Sequence, residues 1–205
     1  VGSEMCLRDS NSGFQEEALE VALHQINCFP KACPIVVPSG SCGAMMVRHY
    51  PELFEGHPLD QKAIEFSLRI FELSEFLHHV LKIILKDQGV PVKVTWHTSC
   101  HAKRELGLED EAKQLVKQLE NVELKELERE DECCGFGGTF SVKQPMISGE
   151  MVLDKCSDVL KTGSDYLLSG DCGCLMNIQG SLEKQQSRVR SMHFASFLWE
   201  RTRGS

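Results

Sequence analysis

The sequence lacks the features that mark several common protein classes. No run approaches the ~20 nearly uninterrupted apolar residues of a membrane-spanning helix, because the most apolar stretch, residues 64–85, contains seven charged residues or histidines. The start has no basic and apolar segment typical of a secretory signal, and no Gly-x-Gly-x-x-Gly nucleotide fingerprint occurs. The net charge of −8 disfavours binding to nucleic acid or to an anionic membrane. These absences predict a cytoplasmic protein with no transmembrane segment and no nucleic-acid partner.

Cysteine, in contrast, is abundant, with ten residues in a chain of 205. Disulfide-rich scaffolds are short secreted chains, so we expect these cysteines to be reduced and to serve metal binding or redox chemistry. No Cys-x-x-Cys pair occurs, and adjacent cysteines such as Cys133 and Cys134 rarely share one tetrahedral zinc ion. A cluster of several irons removes that difficulty because neighbouring thiolates can bind different irons.

The order of apolar patterns predicts an α/β fold. Short β-type runs predict strands at residues 35–37, 92–96, 122–127 and 166–168. Helical periodicity and capping signals predict helices at residues 14–26, 108–119, 145–161 and 193–199. Apolar residues spaced by three and four predict one further, long amphipathic helix that begins at Asp60 and ends before Gly89.

Five cysteines form the strongest chemical signal in the chain. They fall into three groups, each placed just after a predicted strand: Cys100, Cys133 with Cys134, and Cys172 with Cys174. A parallel sheet would bring these groups together at its carboxyl edge, where α/β folds bind their ligands. We predict that Cys100, Cys133, Cys134 and Cys174 bind the metal and that Cys172 is a fifth or alternative ligand.

Other interpretations of the cysteines stay open at this point. Cys28, Cys33 and Cys156 have no partner at ligand spacing and are expected to be structural. A stand-alone thiol enzyme would use Cys134 or Cys100 as its nucleophile, with a neighbouring histidine as base. A zinc-stabilised binding module would carry out no chemistry.

Three segments resemble the cysteine-rich CCG domain: His97–His101, Glu132–Ser141 and Asp171–Ile178, with the spacing Cys-x32-Cys-Cys-x37-Cys-x-Cys. The sequence is most similar to the lactate utilization protein A group, which is related to the iron-sulfur subunit of glycolate oxidase and to the cysteine-rich subunit of heterodisulfide reductase. Residues 11–14 and 38–42 also match that group. The resemblance therefore covers most of the chain.

The resemblance implies two pseudo-repeated CCG-type α/β units, with short parallel sheets flanked by helices. We expect a partial first unit with the long connecting helix at residues 1–90 and a complete second unit at residues 91–205. The first unit is expected to be truncated, because the family's first adjacent-cysteine pair has no counterpart before Asn11. Whether Cys6 or Cys42 binds metal is left open.

The functional implication is an iron-sulfur electron-transfer subunit that carries a [4Fe-4S] cluster. It would belong to a complex that oxidises L-lactate, or a similar 2-hydroxy acid, to pyruvate, with other iron-sulfur and soluble subunits as partners. We expect a non-catalytic or co-catalytic subunit. The alternatives are a thiol/disulfide redox subunit of the heterodisulfide reductase type and the stand-alone cysteine enzyme.

Overall fold

The computed structural model describes residues 12–29 and 32–203. Cys6 and Asn11 lie outside these ranges. The strands are β1 Ile35–Val37, β2 Ile70–Glu72, β3 Val92–Trp96, β4 Val122–Lys125, β5 Tyr166–Ser169 and β6 Arg190–His193. The helices are α1 Gln15–Cys28, α2 Gly40–Ala44, α3 Tyr50–Leu53, α4 Asp60–Ser67, α5 Leu73–Glu75, α6 Cys100–Leu106, α7 Glu111–Lys117, α8 Thr139–Lys143, α9 Pro145–Lys161, α10 Cys172–Lys184 and α11 Phe194–Thr202. Two π-helical turns, Met45–His49 and Phe76–Val80, follow α2 and α5.

The strands form two parallel sheets, which confirms the predicted α/β class. Strands β1 and β2 pair with each other, and the larger sheet has the order β4-β3-β5-β6. Successive residues of a strand point to opposite faces. In β5, Leu167 therefore packs with α9 and α10 on one face, whereas Leu168 packs with α7 and α11 on the other. Both leucines are fully buried, so the larger sheet is covered by helices on both sides.

The predicted long helix between Asp60 and Gly89 is wrong. Helix α4 ends at Ser67, and the next apolar residues form β2. Ile70 is buried and pairs with Ile35, whose N–H also donates to the carbonyl of Arg69 at 2.7 Å. The spacing by three and four is helical, but the short apolar pair Ile70 and Phe71 is also compatible with a buried strand, and pairing with β1 decides for the strand.

The other predicted elements are present, with shifted ends. Helix α9 begins at Pro145 as predicted, and Gly163, with a φ of 62°, follows its end. The predicted helix at 108–119 is shorter, and residues 190–193 form a strand before the last helix begins at Phe194. None of the helices in the described ranges combines the length and apolar character needed to cross a lipid bilayer.

Candidate metal centre

Two of the three cysteine groups lie where neighbouring strands end. Strands β3 and β5 pair directly, so the helices that follow them, α6 and α10, begin side by side at the carboxyl edge of the sheet. Cys100 is the first residue of α6, and the hydroxyl of Ser99 caps that helix by accepting from the N–H of Ala102 at 3.2 Å. Cys172 and Cys174 lie in the first turn of α10. The topology therefore places these groups together, as the sequence predicts.

The third group lies on the loop of residues 133–138, which is held against α9 and α10. Gly135 has a φ of 79°, and a Cβ atom there would lie 2.7 Å from the carbonyl oxygen of Ser148 in α9. The side-chain amide of Asn177 in α10 donates to the carbonyl of Cys134 at 2.8 Å. Only glycine permits this backbone conformation and close approach without strain, so the sequence of the loop fixes its path over the two helices.

Four of the five predicted cysteines form one connected group of thiols. Cys133 interacts with Cys100 and Cys134, and Cys134 also interacts with Cys174. Hydrogen bonds from Cys100 and Cys134 lower the pKa of Cys133, which also accepts from the N–H of Gly135 at 3.4 Å. The same contacts raise the pKa of Cys100 and Cys134, and a hydrogen bond from Cys134 lowers that of Cys174 to about 6. Two thiols of the group are thus poised to ionise, which is the form that binds metals.

His97 lies next to this group and is only 1% exposed. Its ring nitrogen and the sulfurs of Cys134 and Cys174 all lie within 4.8 Å of one another. Neither ring nitrogen has a hydrogen-bond partner of ordinary geometry among the described residues, but the ring lies close enough to Cys174 to help lower the pKa of that thiol. The backbone N–H of His97 donates to the carbonyl of Leu168 at 2.8 Å, which extends the pairing of β3 with β5 and fixes the position of the residue.

The remaining cysteines differ in their surroundings. Cys172 begins α10 and is exposed, in contrast to the buried Cys174 one half-turn later. Cys156 is fully buried in the apolar core of α9 and α10, as expected of a structural cysteine. Cys28 and Cys33 are exposed, and Cys42 is half-buried against the core around β1 and β2.

Charged side chains that sequence reasoning missed hold the segment before Cys133. Lys155 of α9 is fully buried, and its Nζ donates to the carbonyls of Arg129 and Glu130 at 2.5 and 3.4 Å. Asp158, also fully buried, accepts from the N–H groups of Glu128 and Arg129 at 3.2 and 2.9 Å. Both residues interrupt the apolar face of α9, and that interruption was the available signal.

A second network ties the same segment to the strand that leads to Cys100. The indole of Trp96 donates to the hydroxyl of Thr98 at 2.9 Å, and that hydroxyl donates to Glu130 at 2.6 Å. Lys113 of α7 donates to both carboxylate oxygens of Glu130 at 3.2 and 3.0 Å. Through Glu130, the segment before Cys133 is therefore held both to the end of β3 and to α7.

The donor set fits a soft metal or an iron-sulfur cluster. Thiolates select zinc, copper(I) and iron-sulfur clusters over harder ions. The N-terminal end of α10 also lies at this edge of the sheet, which favours bound negative charge. The four sulfurs come from three separate segments, so a bound group would cross-link the loops of the larger sheet.

Comparison with known proteins agrees with this arrangement. Residues 94–179 match the family model of the cysteine-rich CCG domain. The chain is 43% identical to lactate utilization protein A of Lysinibacillus sphaericus (strain C3-41) over 191 residues, which is 92% of this chain and 82% of the relative. It is 42% identical to lactate utilization protein A of Halalkalibacterium halodurans over 196 residues, covering 94% of this chain and 80% of the relative. The protein of that name from Bacillus cytotoxicus is 43% identical over 195 residues, covering 94% of this chain and 80% of the relative.

Proposed function

This chain belongs to the lactate utilization protein A family, and we propose that it is the iron-sulfur electron-transfer subunit of a complex that oxidises L-lactate, or a similar 2-hydroxy acid, to pyruvate. The observation that carries the proposal is the convergence of four thiols at the carboxyl edge of the larger sheet. The family name supports lactate metabolism as the setting of that redox centre.

The proposed ligands of a [4Fe-4S] cluster are Cys100, Cys133, Cys134 and Cys174, with Cys172 as a fifth or alternative ligand. Adjacent cysteines are suited to a cluster because each can bind a different iron. When bound, such a cluster supplies one-electron redox chemistry. The chain contributes the thiolates, the N–H of Gly135 directed at Cys133, and buried surroundings at Cys134 and Cys174 that limit the access of water.

The reaction chemistry supports a role within a complex. Oxidation of a 2-hydroxy acid to a 2-oxo acid removes two electrons and two protons, and it needs an acceptor for hydride or its equivalent. A one-electron centre cannot take both electrons at once, so another cofactor must bridge the difference. We therefore propose that the partners are other iron-sulfur and soluble subunits in the cytoplasm and that this chain passes electrons between them.

One structural observation favours a second candidate, a single zinc ion. His97, Cys134 and Cys174 place three donor atoms within 4.8 Å of one another, which matches the nitrogen and sulfur ligands of tetrahedral zinc. The thiol/disulfide redox subunit and the stand-alone cysteine enzyme remain further alternatives. The first differs by turning over a disulfide substrate, and the second by needing no metal.

Metal analysis of protein purified without oxygen tests the proposal. We expect iron and acid-labile sulfide in equal amounts, and Cys134→Ala should lose most of both. Cys156→Ala is the matched control, because Cys156 is equally buried in the same apolar core but donates to the carbonyl of Ile178 rather than contacting another thiol of the group. Zinc without sulfide, or equal iron loss in both variants, would contradict the proposal.

The exposure of the two cysteines of α10 gives a graded prediction. Cys172→Ser should retain more iron than Cys174→Ser, because Cys172 is exposed and Cys174 is only 9% exposed. Loss of the same amount of iron from both variants would give the two residues equal roles as ligands.

We also propose that residues 1–90 and 91–205 form two CCG-type units. The two separate parallel sheets support this division, since β1 and β2 lie in the first range and the four strands of the larger sheet lie in the second. The connection between the units is built from α4, β2 and α5 rather than from one long helix.

A further inference from the structure

His97 has the surroundings of a ligand rather than of an ordinary core histidine. Buried polar side chains nearly always have a hydrogen-bond partner, yet both ring nitrogens of His97 lack one within the described part of the chain. The residue is 1% exposed, so bulk solvent does not supply the missing partner. The groups that its ring does approach are the sulfurs of Cys134 and Cys174.

The neighbouring histidine shows the contrast. His101 is partly exposed, and its Nε2 lies 3.6 Å from a carboxylate oxygen of Glu105. Its Nδ1 lies 3.7 Å from the sulfur of Cys100. Each ring nitrogen of His101 therefore has a protein partner, so neither nitrogen is left to bind a metal. His97 has no such carboxylate or carbonyl partner among the described residues.

The position of His97 is fixed by the fold. Its backbone continues the β3–β5 pairing through the hydrogen bond to Leu168, so the main chain that carries the ring is held at the edge of the sheet. Imidazole is a common ligand for iron and zinc, and the ring binds metal in its neutral form. Binding would satisfy one buried nitrogen without bringing a further charge into the site.

We infer that His97 is a nitrogen ligand of the metal centre and binds an iron beside Cys134 and Cys174, in place of one of the four proposed thiolates, because a [4Fe-4S] cluster takes four protein ligands. This inference rests on the proposed function. A neutral imidazole in place of a thiolate leaves less negative charge on a cluster, and histidine ligation is known to raise the reduction potential of iron-sulfur centres. His97 would therefore set the potential of this centre as well as hold it.

Pulsed electron paramagnetic resonance of the full chain tests the inference directly. Protein labelled with ¹⁵N only in histidine is purified without oxygen and brought to a paramagnetic state with dithionite or a mild oxidant. A directly bound nitrogen gives a hyperfine coupling that changes between ¹⁴N and ¹⁵N protein. We expect this coupling in the wild type and in His101→Ala, and we expect its loss in His97→Ala. Added imidazole should restore it in His97→Ala.

The outcomes separate the inference from the proposed function. Iron and sulfide in the wild type without a bound-nitrogen coupling would overturn the role of His97 and leave the iron-sulfur function standing. Persistence of the coupling in His97→Ala would also overturn it. Absence of iron from the wild type would overturn both. If His97→Ala fails to fold, the labelled wild type still decides, and His97→Cys, which restores a ligand as thiolate, should lower the reduction potential.

Discussion

Lys155 is the residue whose replacement best tests how the cysteine loop is held. Its ammonium group is buried inside the fold, and it donates to two backbone carbonyls, those of Arg129 and Glu130, three to four residues before Cys133. Lys155→Met keeps a side chain of similar length and removes the donor. We expect the segment to loosen and the loop to hold its metal less firmly.

The magnitude follows from the carbonyls that lose this donor: that of Arg129 keeps a hydrogen bond from the N–H of Glu132 at 3.2 Å, and that of Glu130 loses its side-chain donor. A buried acceptor left unpaired costs about 1–3 kcal/mol, and part of this is offset because methionine no longer requires burial of a charge. We therefore expect Lys155→Met to lower the free energy of unfolding by about 1–2 kcal/mol at neutral pH. Lys161→Met on the same helix removes only an exposed ion pair with Glu128, at 3.0 Å, and should cost less than about 0.5 kcal/mol.

The pH dependence gives the experiment a second, independent result. Burial lowers the pKa of Lys155 below its ordinary value of 10.5. Between the lowered pKa and 10.5, the folded protein has lost the proton that the unfolded chain still binds, so stability from this group rises with pH. Wild type gains this stability and Lys155→Met does not. The difference in free energy of unfolding between wild type and Lys155→Met should therefore widen as the pH rises toward 10.5.

Urea unfolding of the reduced, metal-free proteins at several pH values measures both effects. Iron release to a chelator, measured on the metal-loaded proteins, should be faster for Lys155→Met than for Lys161→Met. The reasoning is refuted if the two variants lose equal stability, or if the difference between wild type and Lys155→Met narrows as the pH rises.

Two further predictions concern packing at the loop and an ion pair far from it. Gly173→Ala should lower iron occupancy and reduce the free energy of unfolding by about 1–3 kcal/mol, because its Cβ would lie 2.6 Å from the ring of Phe136. Gly180→Ala is the control on the same helix. No atom lies within 4 Å of the Cβ that it would add, so it should leave the iron content unchanged. Burial alone raises the pKa of Asp87, but the hydrogen bonds from Arg201 and from the backbone N–H groups of Gly89 and Asn121 together outweigh it and lower that pKa below 3.8. The stability that Asp87 supplies is therefore present above pH ~4 and lost as the pH falls through the folded pKa. In urea titrations, Asp87→Asn should lower the free energy of unfolding by about 3–5 kcal/mol at neutral pH and should reduce the further loss of stability at acid pH. An unchanged loss of stability at acid pH would contradict the assignment.

The sequence predicted those parts of the fold that depend on local patterns. The run Tyr166–Leu168 is short, apolar and bounded by polar turn residues, and the structure confirms it as part of β5. Strand β2 could not be predicted in this way, because residues 70–72 become a strand only by pairing with β1, which lies 35 residues away in register. Strand β6 was missed because Arg190 and Ser191 give it no apolar alternation.

The candidate site was also predictable only where local patterns determine it. Regular spacing after strands was enough to predict that Cys100, Cys133 and Cys174 would meet, because parallel strands end at one edge of a sheet. The inward direction of Lys155 was missed, since a lysine in a helix is normally exposed and its place on the apolar face of α9 was the one local sign of burial. Its burial depends on the backbone carbonyls of a segment whose path is set only by the tertiary fold.

One short motif occurs twice in the chain, and its two copies have different structural roles. Residues 39–44 read Ser-Gly-Ser-Cys-Gly-Ala and residues 169–174 read Ser-Gly-Asp-Cys-Gly-Cys, each after a strand and at the start of a helix. The copies meet at equivalent positions, because Asp171 accepts from the N–H and hydroxyl of Ser41 at 2.9 and 2.7 Å.

The first copy has Ala44 where the second has Cys174, so it offers no thiol at that position. The first copy contributes close packing instead. A Cβ on Gly40 would lie 2.6 Å from the Cβ of Ala102 and 2.7 Å from the hydroxyl of Ser99, so this glycine lets α2 pack closely against the turn that carries Cys100. The carboxylate of Asp171 joins the same first copy to the start of α10. Residues 39–44 therefore support both helix starts that carry cysteines of the candidate centre, whereas the four converging thiols come from residues 100–174.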